Sequence, residues 1–366
     1  MIIENIKLRN FRNYTNCDLN IADTINVFVG DNAQGKTNFL ESVAFISATR
    51  SFRTNNDRDM IKLDNEFAQV TLILNDNDSR LKLTGQIFKE GKRLLIQNQP
   101  IKKASEFIGT LNAVVFAPDD LELFDGAPKL RRRLCDLEIG KINKEYMQVL
   151  NQYQKTLKER NAFLKADSQD NVYLEVLTEK LIEQQIILIN YRNAFIDEIN
   201  KQITIKYQTI AETKDIVKIE YLSPVEDIST IKDGLVTKYQ KHFAADRYQK
   251  QTQIGIHKDD LRFYLNDHLV SGFASQGQKR MIILTLKIVL IDYIYERKHS
   301  YPVLLLDDVL SELDITRKRS LFTLIPQQIQ TIITTTDIND IKDYLPTKTR
   351  IFKINDGKII ETKEMI

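Results

Sequence analysis

Apolar and polar positions alternate in three different ways along the chain. In the first third they follow strand-like spacing. Ile3, Ile6, Leu8 and Phe11 predict a half-buried strand, and Ile25–Val29 (INVFV) is a short, largely apolar run of the kind that forms a buried one. A helix is predicted after Lys36, over NFLESVAFIS. From Phe67 to Ile101 the runs AQVTLILN, RLKLTGQIF and RLLIQNQ predict an antiparallel meander with turns at Asp76–Ser79 and Glu90–Gly91. Ala113–Ala117 reads as a further buried strand, which Pro118 ends because proline cannot donate to a ladder.

The middle third changes period. Tyr146, Leu150, Tyr153, Leu157 and Leu164 recur every three or four residues. After the polar turn Asp167–Asn171, so do Leu174, Leu177, Leu181, Leu188, Phe195 and Ile199. Two amphipathic helices are predicted. The short connection favours an intramolecular antiparallel hairpin over a coiled-coil dimerisation element. The last third returns to α/β. LRFYLNDHLVSGF predicts a hairpin turning at Asn266–Asp267, and a helix follows from about Gln276 to Arg297. PVLLLDD and QTIITTTD are buried strands, and RIFKINDGKIIET is a hairpin whose Asp356–Gly357 turn suits type I′ geometry.

The expected organisation is therefore an α/β nucleotide fold split by a helical insertion, with 1–117 and 254–366 as the two halves of a head and 118–253 as an arm. Length fits more than one domain, and 42% apolar residues suffice for sizeable cores. The net charge of +2 leaves nucleic-acid binding open, since a local basic patch decides that. Cys17 and Cys135 form no CxxC pair, which excludes a dithiol redox motif or cysteine zinc site, and they are expected as reduced thiols. No signal peptide opens the chain, and the longest apolar run, from Met281 to Tyr295, is broken by Lys287 and Asp292. A cytoplasmic protein with no membrane partner is expected.

GDNAQGKT, Gly30 to Thr37, satisfies the Walker A pattern between a predicted strand and a predicted helix, the context that gives the motif its meaning. Gly30, Asp31, Asn32, Ala33, Gln34 and Gly35 would curl backbone N–H groups around phosphates, aided by the helix N-terminus. Lys36 would reach the outer phosphates, Thr37 would ligate Mg²⁺, and Asn38 follows in the first turn. VLLLDD, Val303 to Asp308, is a Walker B element: Asp307 would hold Mg²⁺ and Asp308 would polarise the attacking water as general base. ASQGQKR places Ser275, Gly277 and Gln278 at a helix start, a second anion site or simply an N-cap. SELD, ending at Asp314, follows Walker B.

With ASQGQKR one helix before VLLLDD and SELD just after it, the four elements resemble ATP-binding-cassette (ABC) ATPases, ASQGQKR standing in the place of the signature sequence and SELD in that of the D-loop. The resemblance implies the fold class: an α/β ABC-type P-loop ATPase head, a mixed sheet with an antiparallel β subdomain, plus the inserted α-helical arm. It also implies a head-to-tail homodimer in the ATP state, since one signature caps the nucleotide on the other copy's Walker A. Gln276 stands where the signature has its first glycine. Asp308 stands where a glutamate is usual, and its shorter reach fits slow turnover. No Q-loop glutamine is evident, and Thr336 is at most a weak substitute for the switch histidine.

LRNFRNY, VVFAPDDLELFDGAPKLRRRLCD, GIHKDDL, ASQGQKR and LLLDDVLSELD together, over essentially the whole chain, resemble the RecF family of bacterial recombination and repair ATPases, in the SMC-like branch. What this implies is ATP and Mg²⁺ as cofactors and slow, DNA-stimulated hydrolysis. It also implies binding of single- and double-stranded DNA and gap junctions, RecO and RecR as partners in loading RecA, and support of replication and the SOS response. Lys129, Arg131, Arg132 and Arg133 are the densest basic cluster and candidate DNA contacts; the alternative is a helix face paired to acidic neighbours. Arg9 and Arg12, interleaved with Phe11 and Tyr14, suit nucleotide, DNA or a strand edge equally. His257 lacks a second ligand at helical spacing and fits a structural role. Two competing functions are a membrane-transporter cassette, against which the helical hairpin argues, and an ATP-gated scaffold with incidental hydrolysis.

Overall fold

The computed structural model describes residues 1–76, 79–166 and 170–365. Strand β1 (Ile2–Phe11) pairs antiparallel with β2 (Tyr14–Asn20), and β3 (Ile25–Val29) leads through the Gly-rich loop into the helix Lys36–Ala48. The meander is β4 (Phe67–Asp76), β5 (Ser79–Phe88), β6 (Gly91–Ile96) and the short β7 (Gln99–Pro100), followed by β8 (Ala113–Phe116). Helices Pro128–Ile142, Lys144–Lys165 and Asn171–Ala211 come next, then β9 (Val217–Leu222) and the helix Ile231–Gln249. Strands β10 (Asp260–Leu265) and β11 (His268–Leu269) precede the helix Gln276–Lys298. The chain closes with β12 (Val303–Asp307), the helix Ile315–Leu324, β13 (Thr331–Thr335), β14 (Arg350–Asn355) and β15 (Lys358–Glu364).

These elements gather into two units. The first holds 1–121, 205–214 and 280–366; the second holds 122–204 and 215–279. The sequence reading divided the chain at 117/118 and 253/254. The later return point arises because β10, β11 and the first residues of the helix Gln276–Lys298 group with the helices.

In the first unit, one six-stranded sheet has the order β2-β1-β4-β5-β6-β7 and is antiparallel throughout. The other, β15-β14-β3-β13-β12-β8, is parallel except for its edge strand β15. The α/β fold class with an antiparallel subdomain is as expected. The helix Lys36–Ala48 is buried on nearly every side, so its sequence is apolar around most of its circumference rather than amphipathic. Phe28 lies 4.2 Å from Phe39 and 4.8 Å from Phe352, ring to ring, and Phe45 joins the same core. Each such ring, fully buried, contributes roughly 1.5–3 kcal/mol. Gly85 of β5 is required here: a Cβ would meet the Phe45 ring at 2.5 Å.

The second unit contains the helical arm. Tyr191 pairs with Glu145, Gln184 with Thr156 and Thr178 with Arg160, a descending register that makes the two long helices antiparallel. The first residues of the predicted turn between them lie outside the described residues. Strand β9 and the helix Ile231–Gln249 were not foreseen; β9 pairs with β10, so the predicted hairpin is part of a three-stranded sheet. The hairpin turn itself falls at Asn266–Asp267, with φ of 49° and 63°.

The arm is held by buried polar contacts. Arg192, 2% exposed, donates to both Asp136 and Asp259, and Tyr221 donates to Asp259 at 2.5 Å. Arg131 forks onto Asp260 at 2.7 and 2.9 Å, and Arg132 donates to the Asp259 carbonyl at 2.6 Å. The arginine triplet and GIHKDDL therefore recognise each other. Arg131, 8% exposed, has its guanidinium committed to Asp260 and the Leu123 and Gly126 carbonyls, so a DNA-contact role for it is withdrawn. Of the expected cluster, Arg132 and Arg133 are half-buried and Lys129 is exposed. His257 is half-buried, bridged between the Tyr153 hydroxyl (2.6 Å) and the Thr252 carbonyl (3.1 Å), and desolvation lowers its basicity. Replacing Arg192 by Met would leave Asp136 and Asp259 without their shared cation. A loss of about 3–5 kcal/mol in urea unfolding is expected, and a variant unfolding like the wild type would show that the pair is not a keystone of the arm.

Candidate nucleotide site

The site is assembled from stretches of the first unit that are far apart in sequence. Strand β3 delivers the loop Gly30–Gly35 to the start of the helix Lys36–Ala48. Gly30 cannot carry a side chain, since a Cβ would meet the Ile354 carbonyl oxygen at 2.5 Å. Ala33 and Gly35 take positive φ of 65° and 111°, the curl that turns successive N–H groups inward. Asp31, Asn32 and Ala33 are exposed along the rim, and Gly35 and Lys36 are buried. The Lys36 ammonium folds onto its own loop, donating to the Gly30 and Asp31 carbonyls at 2.5 and 2.8 Å. Burial lowers its pKa, against the pull of Asp308, Asp307 and Asp31.

Parallel pairing of β12 with β13, and of β13 with β3, brings Walker B alongside this loop. The Thr37 hydroxyl donates to Asp307 Oδ1 at 2.8 Å, and the Thr334 hydroxyl donates to the same oxygen at 2.8 Å. Burial raises the Asp307 pKa, and the two hydroxyls oppose that rise. Asp308 turns away from the strand with φ of 52°; its N–H donates to Thr334 Oγ1 at 3.0 Å, and its Oδ1 is buried without a hydrogen-bond partner. A hydroxyl, a buried carboxylate and an unpaired carboxylate oxygen are hard oxygen donors of the kind Mg²⁺ takes, so the residues fit that ion.

Several contributors lie outside the Walker elements. Asn13 donates to the Gln34 carbonyl (3.0 Å) and accepts from Asn38 (2.9 Å), and the Tyr14 hydroxyl donates to the Gly35 carbonyl (3.0 Å). Gln34 is held from the far end of the chain: its side-chain oxygen accepts from Asp356 N–H (2.7 Å) and its carbonyl from Gly357 N–H (2.9 Å). Arg12 forks onto buried Glu41 at 2.8 and 2.6 Å, which settles its place as a brace of the helix Lys36–Ala48. Arg53 donates to Asn38 at 2.7 Å. Thr334, rather than the exposed Thr336, is the residue of ITTTD that reaches the carboxylates.

Ser275, Gly277 and Gln278 belong to the second unit. Ser275 Oγ accepts from Gln278 N–H (3.2 Å), and Gln278 Oε1 accepts from Ser275 N–H (2.9 Å), a reciprocal capping box. A Cβ on Gly277 would meet only the Ser275 Oγ, at 4.0 Å. Asp314, exposed, caps the helix Ile315–Leu324 through Arg317 N–H at 2.9 Å.

A family model described as the RecF/RecN/SMC N terminal domain matches residues 2–359. The chain belongs to the RecF family. It is 37% identical to the DNA replication and repair protein RecF of Ligilactobacillus salivarius (strain UCC118), over 99% of this chain and 98% of that one. It is 38% identical to the protein of the same name from Clostridium botulinum (strain Eklund 17B / Type B), over 98% and 100%. A solved structure of the recombination mediator protein RecF with ATP, in the RecFOR pathway, superposes with a TM-score of 0.90 at 31% identity, covering 99% of both chains. Membership of this family removes the transporter cassette from consideration. Among the described residues no helix is long and apolar enough to cross a membrane.

The Asp307 oxygen on which the Thr37 and Thr334 hydroxyls converge generates a direct test. Thr334→Val deletes one donor to Asp307 and the acceptor for Asp308 N–H, a loss of about 1–3 kcal/mol. Affinity for ATP in Mg²⁺ should fall by about tenfold while affinity in EDTA stays unchanged, a difference that fluorescent-nucleotide titration resolves.

Proposed function

We propose that this protein is an ATP-dependent DNA-binding protein of recombinational repair and replication, a slow DNA-stimulated ATPase that dimerises when it holds ATP. The observation that carries the proposal is the 2.8 Å bond from Thr37 to Asp307, which joins Walker A to Walker B across 270 residues of sequence. Binding would rest on the backbone N–H groups of residues 32–37 and on Lys36, which exchanges its loop carbonyls for phosphate oxygens. Thr37 and Asp307 would hold Mg²⁺, with Asp308 close by. When bound, the ion would neutralise charge developing on the outer phosphates.

Asp308 is the group best suited to accept the proton of the attacking water, since its Oδ1 has no other partner. Its side chain is one methylene shorter than the glutamate usual at this place, which favours slow turnover. Ser275, Gly277, Gln278 and Asp314 would complete the nucleotide site of a second copy. Ser275 and Gly277 stand at a helix N-terminus, where N–H groups favour a terminal phosphate. DNA repair and replication come from the names of the relatives, and the RecFOR pathway named for the solved structure supports RecO and RecR as partners and RecA loading as the outcome. The cell compartment that fits these partners is the cytoplasm, and a role in the SOS response follows from the same reading.

Light scattering with no nucleotide, with ADP and with a non-hydrolysable ATP analogue tests the central claim. The mass should double only with the analogue and Mg²⁺, and more readily on gapped DNA. Lys36→Ala should abolish nucleotide binding and the doubling together. Ser275→Arg should block the doubling and leave ATP binding by the monomer intact; loss of both would sink the shared-site reading. Asp308→Asn should lower turnover by about 10²–10⁴-fold with ATP binding retained, measured by phosphate release.

A further inference from the structure

The antiparallel sheet of the first unit buries one face in the core; on the other, Arg9 and Arg93 are exposed, Gln69, Lys82 and Gln86 half-buried, and Thr71 and Thr84 buried between them. Pairing register sorts its residues without ambiguity. Ile6, Leu8, Val70, Leu72, Leu83 and Ile87 point into the core. On the opposite face, direct cross-strand neighbours form rows. Asn16, Arg9, Gln69, Gln86 and Arg93 make one row across β2, β1, β4, β5 and β6. Asp18, Lys7, Thr71 and Thr84 make the next, and Lys82 stands beside Ile73 in a third.

The chemistry of this face is unlike that of an ordinary solvated sheet. Arg9, Lys82 and Arg93 have no carboxylate partner among the described residues, whereas Lys7 is paired with Asp18 at 2.7 Å. Arg9 lies over the Phe67 ring at 5.1 Å, and Phe67 is 6.1 Å from Phe88, so a guanidinium and two aromatic rings share one edge of the face. Between the cations the rows are tied by neutral hydrogen-bonding groups, Gln86 to Gln69 at 2.9 Å and Thr71 to Thr84 at 3.1 Å. Arg9 and Arg93 stand three strand spacings apart, about 14 Å. At the Asn5 end the face runs into a cleft of about 610 Å³ whose lining includes Lys7, Arg80, Lys348 and Arg350, with Glu4, Asp23 and Glu364 opposing them.

We propose that this outer sheet face is a platform for single-stranded DNA, an inference that rests on the DNA-binding reading above and gives it a location. Unpaired cations spaced across a flat surface attract a polyanion. Aromatic rings and an arginine plane offer stacking to unpaired bases, and the half-buried Gln69 and Gln86 amides add hydrogen bonds without demanding one sequence. A flat sheet face does not enter a duplex groove as a helix or a two-stranded ribbon does, so the unpaired strand is the occupant that fits. Of the basic cluster expected to contact DNA, Arg131 is already committed to Asp260.

The test is fluorescence anisotropy of the full-length protein with a labelled oligo-dT and with a blunt duplex, at two salt concentrations. Arg9→Glu, Lys82→Glu and Arg93→Glu are combined in one variant. A control combines Lys155→Glu, Lys158→Glu and Lys180→Glu, three exposed arm lysines, for the same change in net charge. The face variant should lose at least tenfold in oligo-dT affinity, and its log–log salt slope should shrink by about two, at roughly 0.7 per lost phosphate contact. Its duplex affinity should fall less, and its ATP binding should match the wild type. Unchanged oligo-dT affinity, a loss no greater than the control's, or a loss confined to duplex would overturn the platform. If charge reversal lowers the melting temperature, the triple Gln variant of the same residues decides by the same criteria. Failure of the wild type to bind either DNA would bring down the DNA-binding reading itself, which keeps the two failures distinct.

Discussion

The first unit depends on one buried carboxylate. Asp307 ends a strand whose every residue is buried, and it is itself 4% exposed. An isolated carboxylate in that position would cost several kcal/mol. It is tolerated because two hydroxyls meet the same oxygen, Thr37 from the first turn of the helix after β3 and Thr334 from β13. These donors come from opposite ends of the sequence, so satisfying Asp307 requires that β3, β13 and β12 be adjacent and in register. The same three groups then form the part of the site where hard oxygen donors converge. Fold and site are built from a single solution to a burial problem.

The loop in front of that carboxylate is equally constrained from outside. A Gly-rich curl has high conformational freedom in the unfolded chain. Here it is pinned by groups that belong to neither Walker element: Asn13 beneath Gln34 and Asn38, Tyr14 on the Gly35 carbonyl, and the β14–β15 turn on Gln34. Gly357 holds a positive φ of 68°, and a Cβ there would meet the Asn13 carbonyl at 2.7 Å, so this turn and the β1–β2 turn are packed in direct contact. A phosphate-binding loop held in its curled form before ligand arrives binds with less ordering cost. The last hairpin of the chain is thus part of the site's rigidity.

How legible all this was in the sequence follows from the range of each interaction. Walker A, Walker B and the helix Lys36–Ala48 were readable because their meaning lies in contiguous residues: a glycine-rich curl, an apolar run ending in acid, a change of period. The Asp356–Gly357 turn was readable for the same reason, yet its use as a brace for Gln34 was not, since 322 residues separate them. Asn13 and Thr334 carried no local signal of a place in the nucleotide site; Asn13 stood only in a family motif, Thr334 only in a strand run, and their partners become visible once strands are paired. β9 was missed because six residues of alternation after a long helix are a weak signal, and its partner lies beyond another helix.

The arginine triplet shows where composition misleads. Clustered guanidinium groups in a near-neutral chain suggest a polyanion ligand, but desolvation decides differently. Arg131 is placed where it can donate to two carboxylate oxygens and two carbonyls at once, and a buried fork with four of its five N–H groups engaged has little left to offer a phosphate. Sequence spacing alone could not reveal this, because the acid that claims it, Asp260, sits 129 residues away in GIHKDDL. The arginines on the outer sheet, by contrast, are scattered one per strand and form no cluster in the sequence. They become a surface only through register, in which Arg9 and Arg93 fall into one row although 84 positions separate them. A basic run marks where charge is concentrated in sequence; pairing and burial determine where charge is free to act.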